Sequence, residues 1–233
     1  MTGTNIREKL KRGEVVKMIN PHHVSDSLAG RLISHGADAV FLDCEHGSWS
    51  LEDVRSTTAT VGQAGGTAIV RPNSHERSQI IRYTNIGAHG LMVPMVDNAK
   101  EASAIVDAVR YGNPHDYEKV LVICMIEDVN TVERELDEML AVDGVDVFFF
   151  GPTDLSQSLG LLPPLPGEDW DPRIKDTIKS ALGRVTESGK LGGTLVRESN
   201  VKEFVDAGAT FLYLHADPFL KAGFEKFDRA LVV

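Results

Sequence analysis

The sequence predicts a single (β/α)₈ barrel over residues 1–233. Three observations predict it. Eight short apolar runs rich in Val, Ile, Leu and Phe recur along the chain, amphipathic segments separate them, and a glycine commonly stands between a segment and the next run. Near-continuous apolarity suits strands buried on both faces, as in a parallel sheet. Eight β-α units in this length match a barrel at the compact end of its range. An open doubly wound sheet is the competing architecture. It would carry a Gly-rich phosphate turn after its first strand, whereas the first run here leads into "NPHHVSDS".

In order, the first strand is "VVKMI" (15–19) and the second "AVFLD" (39–43). The segment 50–65 then reads as a helix, with Ser50 as N-cap and Asp53 three residues on. "TAIVRP" (67–72) is the third strand, "ERSQIIRYTNIG" (76–87) the next helix and "GLMVPMV" (90–96) the fourth strand. "NAKEASAIVDAVRYG" (98–112) is helical, and "KVLVICMIE" (119–127) is the fifth strand. Residues 130–144 read as one helix capped by Asn130, with Val132, Leu136, Met139 and Leu140 on a single stripe and Gly144 at its end. "VDVFFFGP" (145–152), "KLGGTLV" (190–196) and "TFLYLH" (210–215) complete the strands, with helices over 173–189 and 199–208 between the last three. The final segment, 217–233, places Phe219, Leu220, Phe224 and Phe227 on an apolar helix stripe, which closes the barrel or packs on a neighbour.

Composition narrows the partners. The formal net charge is −10 and no basic tract stands out, which argues against nucleic acid and anionic membrane. No apolar run approaches the ~20 residues that span a bilayer. The polar start "MTGTNIREKLKRGE" lacks the apolar core of a secretory leader. Cys44 and Cys124 form no CxxC pair, which argues against a disulfide framework or a structural zinc site and suits a reducing cytoplasm.

A barrel collects its chemistry at the C-terminal ends of its strands. Here the second strand ends in Asp43, Cys44, Glu45 and His46, the third in Arg71, the fifth in Glu127 and Asp128, and the sixth in "GPTD" with Asp154. Glu127 and Asp154, on adjacent strands, would repel unless a cation lay between them, and an all-oxygen pair suits Mg²⁺ or Mn²⁺. The alternative is that each carboxylate caps the helix that follows. Arg71 either faces a substrate and stabilises developing negative charge, or pairs internally with Asp43 or Glu45. His46 beside Asp43 has the makings of an oriented base, if the chain turns at Gly47. Cys44 with His46 suggests nucleophilic catalysis, though no second signature supports it. His23 and His215 follow the first and last strands and reach toward the mouth. Lys17 is the one candidate for a Schiff-base lysine, in a mid-strand position that suits the role poorly.

Together these strand ends resemble the HpcH/HpaI aldolase family. The matching pieces are "FLDCEHG", "AIVRPN", "GAHGLMVPMVDNAKEA", "MIEDVNTVERELDEMLAVDGVDVFFFGPTDLSQSLG" and "SGKLGGTL", in family order over roughly residues 30–215. The resemblance implies a metal-dependent aldolase that makes or cleaves 4-hydroxy-2-oxo acids. It implies a divalent metal (Mg²⁺ or Mn²⁺, with Co²⁺ a further option) on Glu127 and Asp154, and a 2-oxo acid such as pyruvate held by backbone N–H groups in the stretch Gly151, Pro152, Thr153 and Asp154. It places Arg71 at the keto oxygen and assigns proton transfer to Asp43 and His46. It also implies a barrel that exchanges its last helix between subunits of a homo-oligomer, dimer-based and commonly a trimer of dimers.

Three stretches depart from the family pattern. The "RYPP-G-RG" stretch and its long loop are missing, since "AVRYGNPHDYEKV" passes almost directly into the fifth strand. The first strand reads "VVKMINPHH" in place of an aromatic and a small-residue run, and the last ends "YLHADPFL" in place of a "GVD" turn. These changes bear on the aldehyde partner more than on the core reaction. Two other readings are a carbon–carbon lyase acting on a CoA thioester, of the citrate lyase β type, and a non-catalytic barrel that binds 2-oxo acids.

Overall fold

The computed structural model describes residues 4–164 and 168–231. Eight strands close into a parallel barrel in sequential order, each paired with its sequence neighbours and β8 returning to β1. The first half runs α1 (Thr4–Lys11), β1 (Val16–Asn20), α2 (Asp26–Ser34), β2 (Ala39–Asp43), α3 (Leu51–Gln63), β3 (Thr67–Arg71), α4 (Arg77–Asn85), β4 (Gly90–Val93) and α5 (Ala99–Gly112). The second half runs β5 (Leu121–Ile126), α6 (Val129–Arg134), α7 (Leu136–Leu140), β6 (Val147–Phe150), α8 (Pro152–Ser158), α9 (Pro172–Glu187), β7 (Leu191–Leu195), α10 (Val201–Asp206), β8 (Ala209–His215) and α11 (Asp217–Leu231). The expected closed barrel is therefore the observed one, and the open sheet is excluded.

Strand parity sorts the side chains into two cores. One set points into the barrel: Val16 and Met18 of β1, Ala39 and Phe41 of β2, Ile69, Met92, then Leu121, Ile123 and Met125 of β5, Val147 and Phe149 of β6, and Phe211 and Tyr213 of β8. The alternate residues, such as Val40, Leu42, Val70, Cys124, Phe148 and Phe150, pack outward against the helices. Ile6 and Leu10 of α1 join the inner set. Following parity one step further along each strand leads to the C-terminal layer of the barrel. There the series ends in Asn20, Asp43, Arg71, Glu127, Gly151 and His215. Below this layer the inward set is largely apolar, with Thr67 at the opposite end of β3 a buried polar exception.

Local signals behave as expected at several helix ends. Ser50 and Asp53 form a reciprocal capping box at α3, and Asn98 caps α5 through the Glu101 N–H. Some expectations are corrected. Residues 130–144 do not form one helix from Asn130: Asp128 is the cap of α6, accepting the Asn130 N–H at 2.7 Å, and the helix breaks at Glu135 before α7 begins. β4 stops at Val93 rather than running to Val96, because Pro94 has no N–H for the ladder and Met95 turns into the left-handed region at φ 50°. Lys17 stands exposed on the outward parity of β1, so it does not enter the barrel as a Schiff-base lysine would.

Candidate active site

The mouth of the barrel is a cavity of about 540 Å³ lined by Asp43, His46, Arg71, Glu127, Gly151, Pro152, Thr153 and Asp154 together with residues of β1 and β8. Of the strand-end residues considered from the sequence, Asp43, His46, Arg71, Glu127, Asp154 and His215 line this one space, whereas Cys44, Glu45 and Asp128 do not.

The β2–β3 register sets Asp43 directly beside Arg71. Arg71 donates from Nε to Asp43 Oδ1 at 2.9 Å and from a terminal nitrogen to Oδ2 at 2.6 Å, and its other terminal nitrogen lies 3.0 Å from Glu45 Oε2. The internal pairing considered for Arg71 is the one observed, and the same guanidinium lines the cavity. Its guanidinium also sits 5.5 Å from the Phe41 ring centroid. Burial by itself would raise the Asp43 pKa, but the Arg71 bonds and the backbone N–H groups of His46 and Glu45 outweigh it and hold the carboxyl below its ordinary value.

The Asp43–His46 pairing takes a different form from an oriented base. Asp43 Oδ1 accepts the His46 backbone N–H at 3.1 Å, while the imidazole lies at the rim with its side chain 70% exposed. The carboxylate nearest that ring is Glu45, at 3.8 Å. The reason is the turn at Gly47, whose N–H bonds the Asp43 carbonyl and folds the chain back before the ring can reach the carboxylate.

Glu127 and Asp154 meet across β5 and the start of α8. Their carboxyl groups lie in hydrogen-bonding contact, and Glu127 Oε2 accepts the Met95 N–H at 2.8 Å. Burial, then the neighbouring Asp154, push the Glu127 pKa well above the ordinary carboxylate range despite that N–H. Room for Glu127 depends on Gly151, where a Cβ would stand 3.1 Å from both Cγ and Oε1 of the glutamate. Asp154 does not cap α8, whose cap position is Gly151; it sits within the first turn. In the stretch Gly151–Asp154, Pro152 has no N–H and the Gly151 N–H is bonded to the Ile126 carbonyl. The amides of Thr153 and Asp154, in the first turn of α8, have no intrahelical acceptor.

Among the described residues, no group of three or more His, Cys, Asp or Glu side chains is gathered to hold a metal ion. The donor set is thus a pair of carboxyls, one of them buried. Two acidic groups held against each other, one of them buried, fit a hard divalent cation, which would relieve their repulsion and leave further coordination positions open.

Cys44 faces the outer layer rather than the cavity. Burial raises its thiol pKa to about 11, which argues against a nucleophilic role. His23 does not line the mouth; His22 does, with its ring bonded to His215. Sequence reasoning also missed Asn20, Tyr213 and Met95. Counting parity forward from Met18 and back from His215 would have found Asn20 and Tyr213 on the inward face. Met95 carries no such signal, because only its backbone N–H is used.

The chain matches the family model described as HpcH/HpaI aldolase/citrate lyase over residues 22–220. It belongs to that family. Among HpcH/HpaI relatives, a 4-hydroxy-2-oxovalerate aldolase of Novosphingobium aromaticivorans is 34% identical over 207 residues, covering 79% of this chain and 77% of its own length. A 2-keto-3-deoxy-L-rhamnonate aldolase of Klebsiella pneumoniae is 28% identical, covering 96% of this chain and 90% of its own. A solved HpcH/HpaI aldolase/citrate lyase family protein from Burkholderia cenocepacia superimposes with a TM-score of 0.85 at 23% identity, covering 97% of this chain and 98% of that one, which shows a shared fold. The named relatives of this HpcH/HpaI chain are aldolases, that is, carbon–carbon lyases.

Proposed function

We propose that this chain is a class II, divalent-metal-dependent aldolase that makes or cleaves a 4-hydroxy-2-oxo acid through a pyruvate-type enolate. The observation that carries the proposal is the meeting of Glu127 with Asp154 in the same cavity as the Arg71 guanidinium. Support comes from the two aldolase relatives, both of which act, by name, on compounds of the 2-oxo acid class.

Glu127 and Asp154 would hold the cation, Mg²⁺ or Mn²⁺, with Co²⁺ a further option. When bound, it supplies Lewis-acid stabilisation of negative charge on the keto oxygen. The remaining work belongs to the chain. Arg71 has five N–H donors, and those not taken by Asp43 and Glu45 stabilise the oxygen as the adjacent methyl group loses a proton. Asp43 keeps the guanidinium in one orientation, so that it need not reorganise as charge develops. The free amides of Thr153 and Asp154 bind the carboxylate of the acid. His46, at the rim, moves a proton between the reacting atoms and solvent. Met92, Met125 and Phe149 form an apolar floor that excludes water below the reacting carbon.

Among the described residues Arg71 is the only Lys or Arg lining this cavity, and Arg197 and Lys221 line the space that adjoins it at His22 and His215. We further propose a homo-oligomer formed through α11. Phe219, Leu220, Phe224, Phe227 and Leu231 stand more than half exposed, and no residue of this helix is buried. Leu220, Phe224, Phe227 and Leu231 follow helical spacing on one stripe, the pattern of a helix whose apolar face belongs against another surface.

Proton exchange decides the central claim. Pyruvate in deuterated water should lose its methyl protons in the presence of the chain and Mg²⁺ or Mn²⁺, and chelator should stop the loss. Pyruvate bound with metal but never exchanged would leave a sensor instead of an enzyme.

A further inference from the structure

Glu127 is gripped by a residue whose side chain is not used. β4 pairs with β5 as far as Val93, opposite Cys124, and contact resumes where the Val96 N–H donates to the Met125 carbonyl at 3.1 Å. Pro94 and Met95 are looped out between these two points. Met95 lies at φ 50°, in the left-handed region that residues other than glycine enter only against steric resistance. Packing does not explain the turn, because the Met95 side chain is 49% exposed. Its backbone does. The Met95 N–H donates to Glu127 Oε2 at 2.8 Å, and the Met95 carbonyl lies 3.1 Å from His75 Nδ1. A carbonyl only accepts, so that second bond needs the His75 proton on Nδ1. A strained residue persists where its surroundings over-determine it, and here one bond on each side does so.

The arrangement joins three successive strand ends. His75 stands in the loop between β3 and α4, Met95 in the loop after β4, and Glu127 just beyond the end of β5. Glu127 is buried against the acidic Asp154, so its carboxyl would tend to swing away from that neighbour. Two features oppose the swing. The missing Cβ at Gly151 gives Cγ and Oε1 of the glutamate the room they occupy, and the Met95 N–H commits Oε2. The direction of that N–H depends on the turn. Rotating Met95 to an ordinary negative φ would reorient the whole peptide plane between Pro94 and Met95 and point its N–H away from the carboxylate.

We propose that Met95 is a positioning residue for the metal-binding carboxylate: its left-handed turn, held from outside by His75, aims its N–H at Glu127 and keeps that carboxyl beside Asp154 for a divalent cation. This rests on the aldolase reading and deepens it. Backbone conformation at position 95 is the functional feature, and the thioether is incidental. Partners that hold a metal ligand from behind typically cost about 10- to 100-fold in metal affinity when removed.

The test titrates Mn²⁺ into the metal-free chain and reads free Mn²⁺ by electron paramagnetic resonance. Three changes at position 95 separate amide from side chain. The α-hydroxy analogue of methionine, introduced through a suppressed stop codon, turns the amide into an ester and deletes the N–H alone. Met95→Val keeps the N–H but resists positive φ, because its branched Cβ crowds the backbone. Met95→Gly keeps the N–H and adopts the left-handed conformation freely. Mn²⁺ affinity should fall about tenfold in the ester and in Met95→Val, and less than about threefold in Met95→Gly. His75→Ala should lower it by about threefold, and His75→Asn, whose amide nitrogen takes the place of Nδ1, should restore it. Urea unfolding confirms that each metal-free variant is folded. The Met95 amide proton gives a direct signature in wild type: it should shift when Mg²⁺ is added and move upfield in Glu127→Gln. Equal Mn²⁺ affinity in the ester and wild type overturns the proposal. So does an equal loss in Met95→Gly and Met95→Val, which would assign the effect to the side chain, and so does an amide proton unmoved by both Mg²⁺ and Glu127→Gln. Glu127→Gln that binds Mn²⁺ as tightly as wild type, or wild type that binds none, overturns the metal-site reading beneath it.

Discussion

Asp43 grips Arg71 through both carboxylate oxygens, at 2.9 and 2.6 Å, from the position directly opposite it in the β2–β3 register. The pair is almost fully buried, with side-chain exposures of 12% and 10%. Asp43→Asn should therefore act in two ways. Leaving the guanidinium with Glu45 alone costs about 3 kcal/mol of stability, the scale for breaking a buried pair. The loss of a fixed orientation should lower kcat by about 100-fold, the scale for removing one preorganised donor to an oxyanion. Urea unfolding and aldol cleavage rates measure the two effects, and a kcat within twofold of wild type would refute the positioning role.

Glu127→Gln tests the carboxyl pair. The amide removes a buried acid from beside Asp154, so the metal-free variant should be at least as stable as metal-free wild type. Addition of Mn²⁺ should raise the melting temperature of wild type and leave that of the variant unmoved, with proton exchange on pyruvate lost. A variant stabilised by Mn²⁺ as much as wild type would place the cation elsewhere.

Cysteine chemistry should be silent. Burial raises the Cys44 thiol to about 11 and the fully enclosed Cys124 thiol to about 12. At pH 8 neither holds an appreciable fraction of thiolate, the reactive form. Iodoacetamide should leave both cysteines unmodified and activity intact until denaturant is added, as read by mass spectrometry. Rapid labelling of Cys44 with loss of activity would revive the nucleophile reading.

Stability should respond to acid through His215. Its pKa is depressed in the folded state, first by burial and then by His22 and Arg197, with Asp217 acting in the opposite sense. A group depressed on folding contributes stability above its unfolded value, near 6.5, and loses it as pH falls through the folded value near 4. His215→Leu should flatten the decline of stability across that window, measured by urea titrations at pH 7, 5.5 and 4.5. An equally steep decline in the variant would assign the effect to other groups.

The apolar stripe of α11 should govern assembly. Light scattering should give a multiple of the chain mass for wild type and a smaller species for Phe224→Asp/Phe227→Asp. The same mass for both would free the helix from that role.

How much of this was legible in the residues differs from element to element. The eight apolar runs and the glycines between them specify a closed parallel barrel, because a strand buried on both faces needs apolar residues along its whole length. The strand-end residues Asp43, Arg71, Glu127 and Asp154 were readable for a related reason: charged groups at the end of such runs are costly unless they face a shared, wet opening. The break at Glu135 and the capping by Asp128 were not readable, since residues 129–140 keep a helical stripe straight through the break. The amino-acid order alone could not choose between a paired and a substrate-facing Arg71. It could not foresee that Asp43 holds the His46 backbone instead of its ring, or that His22 rather than His23 turns back to meet His215 across the β1–β8 seam. Those outcomes depend on register and on the left-handed turn at His22 (φ 58°), whose N–H the Asn20 side chain accepts. Hydrophobic patterning is local and survives in the linear chain; which polar atoms finally meet is settled only when strands distant in sequence are brought side by side.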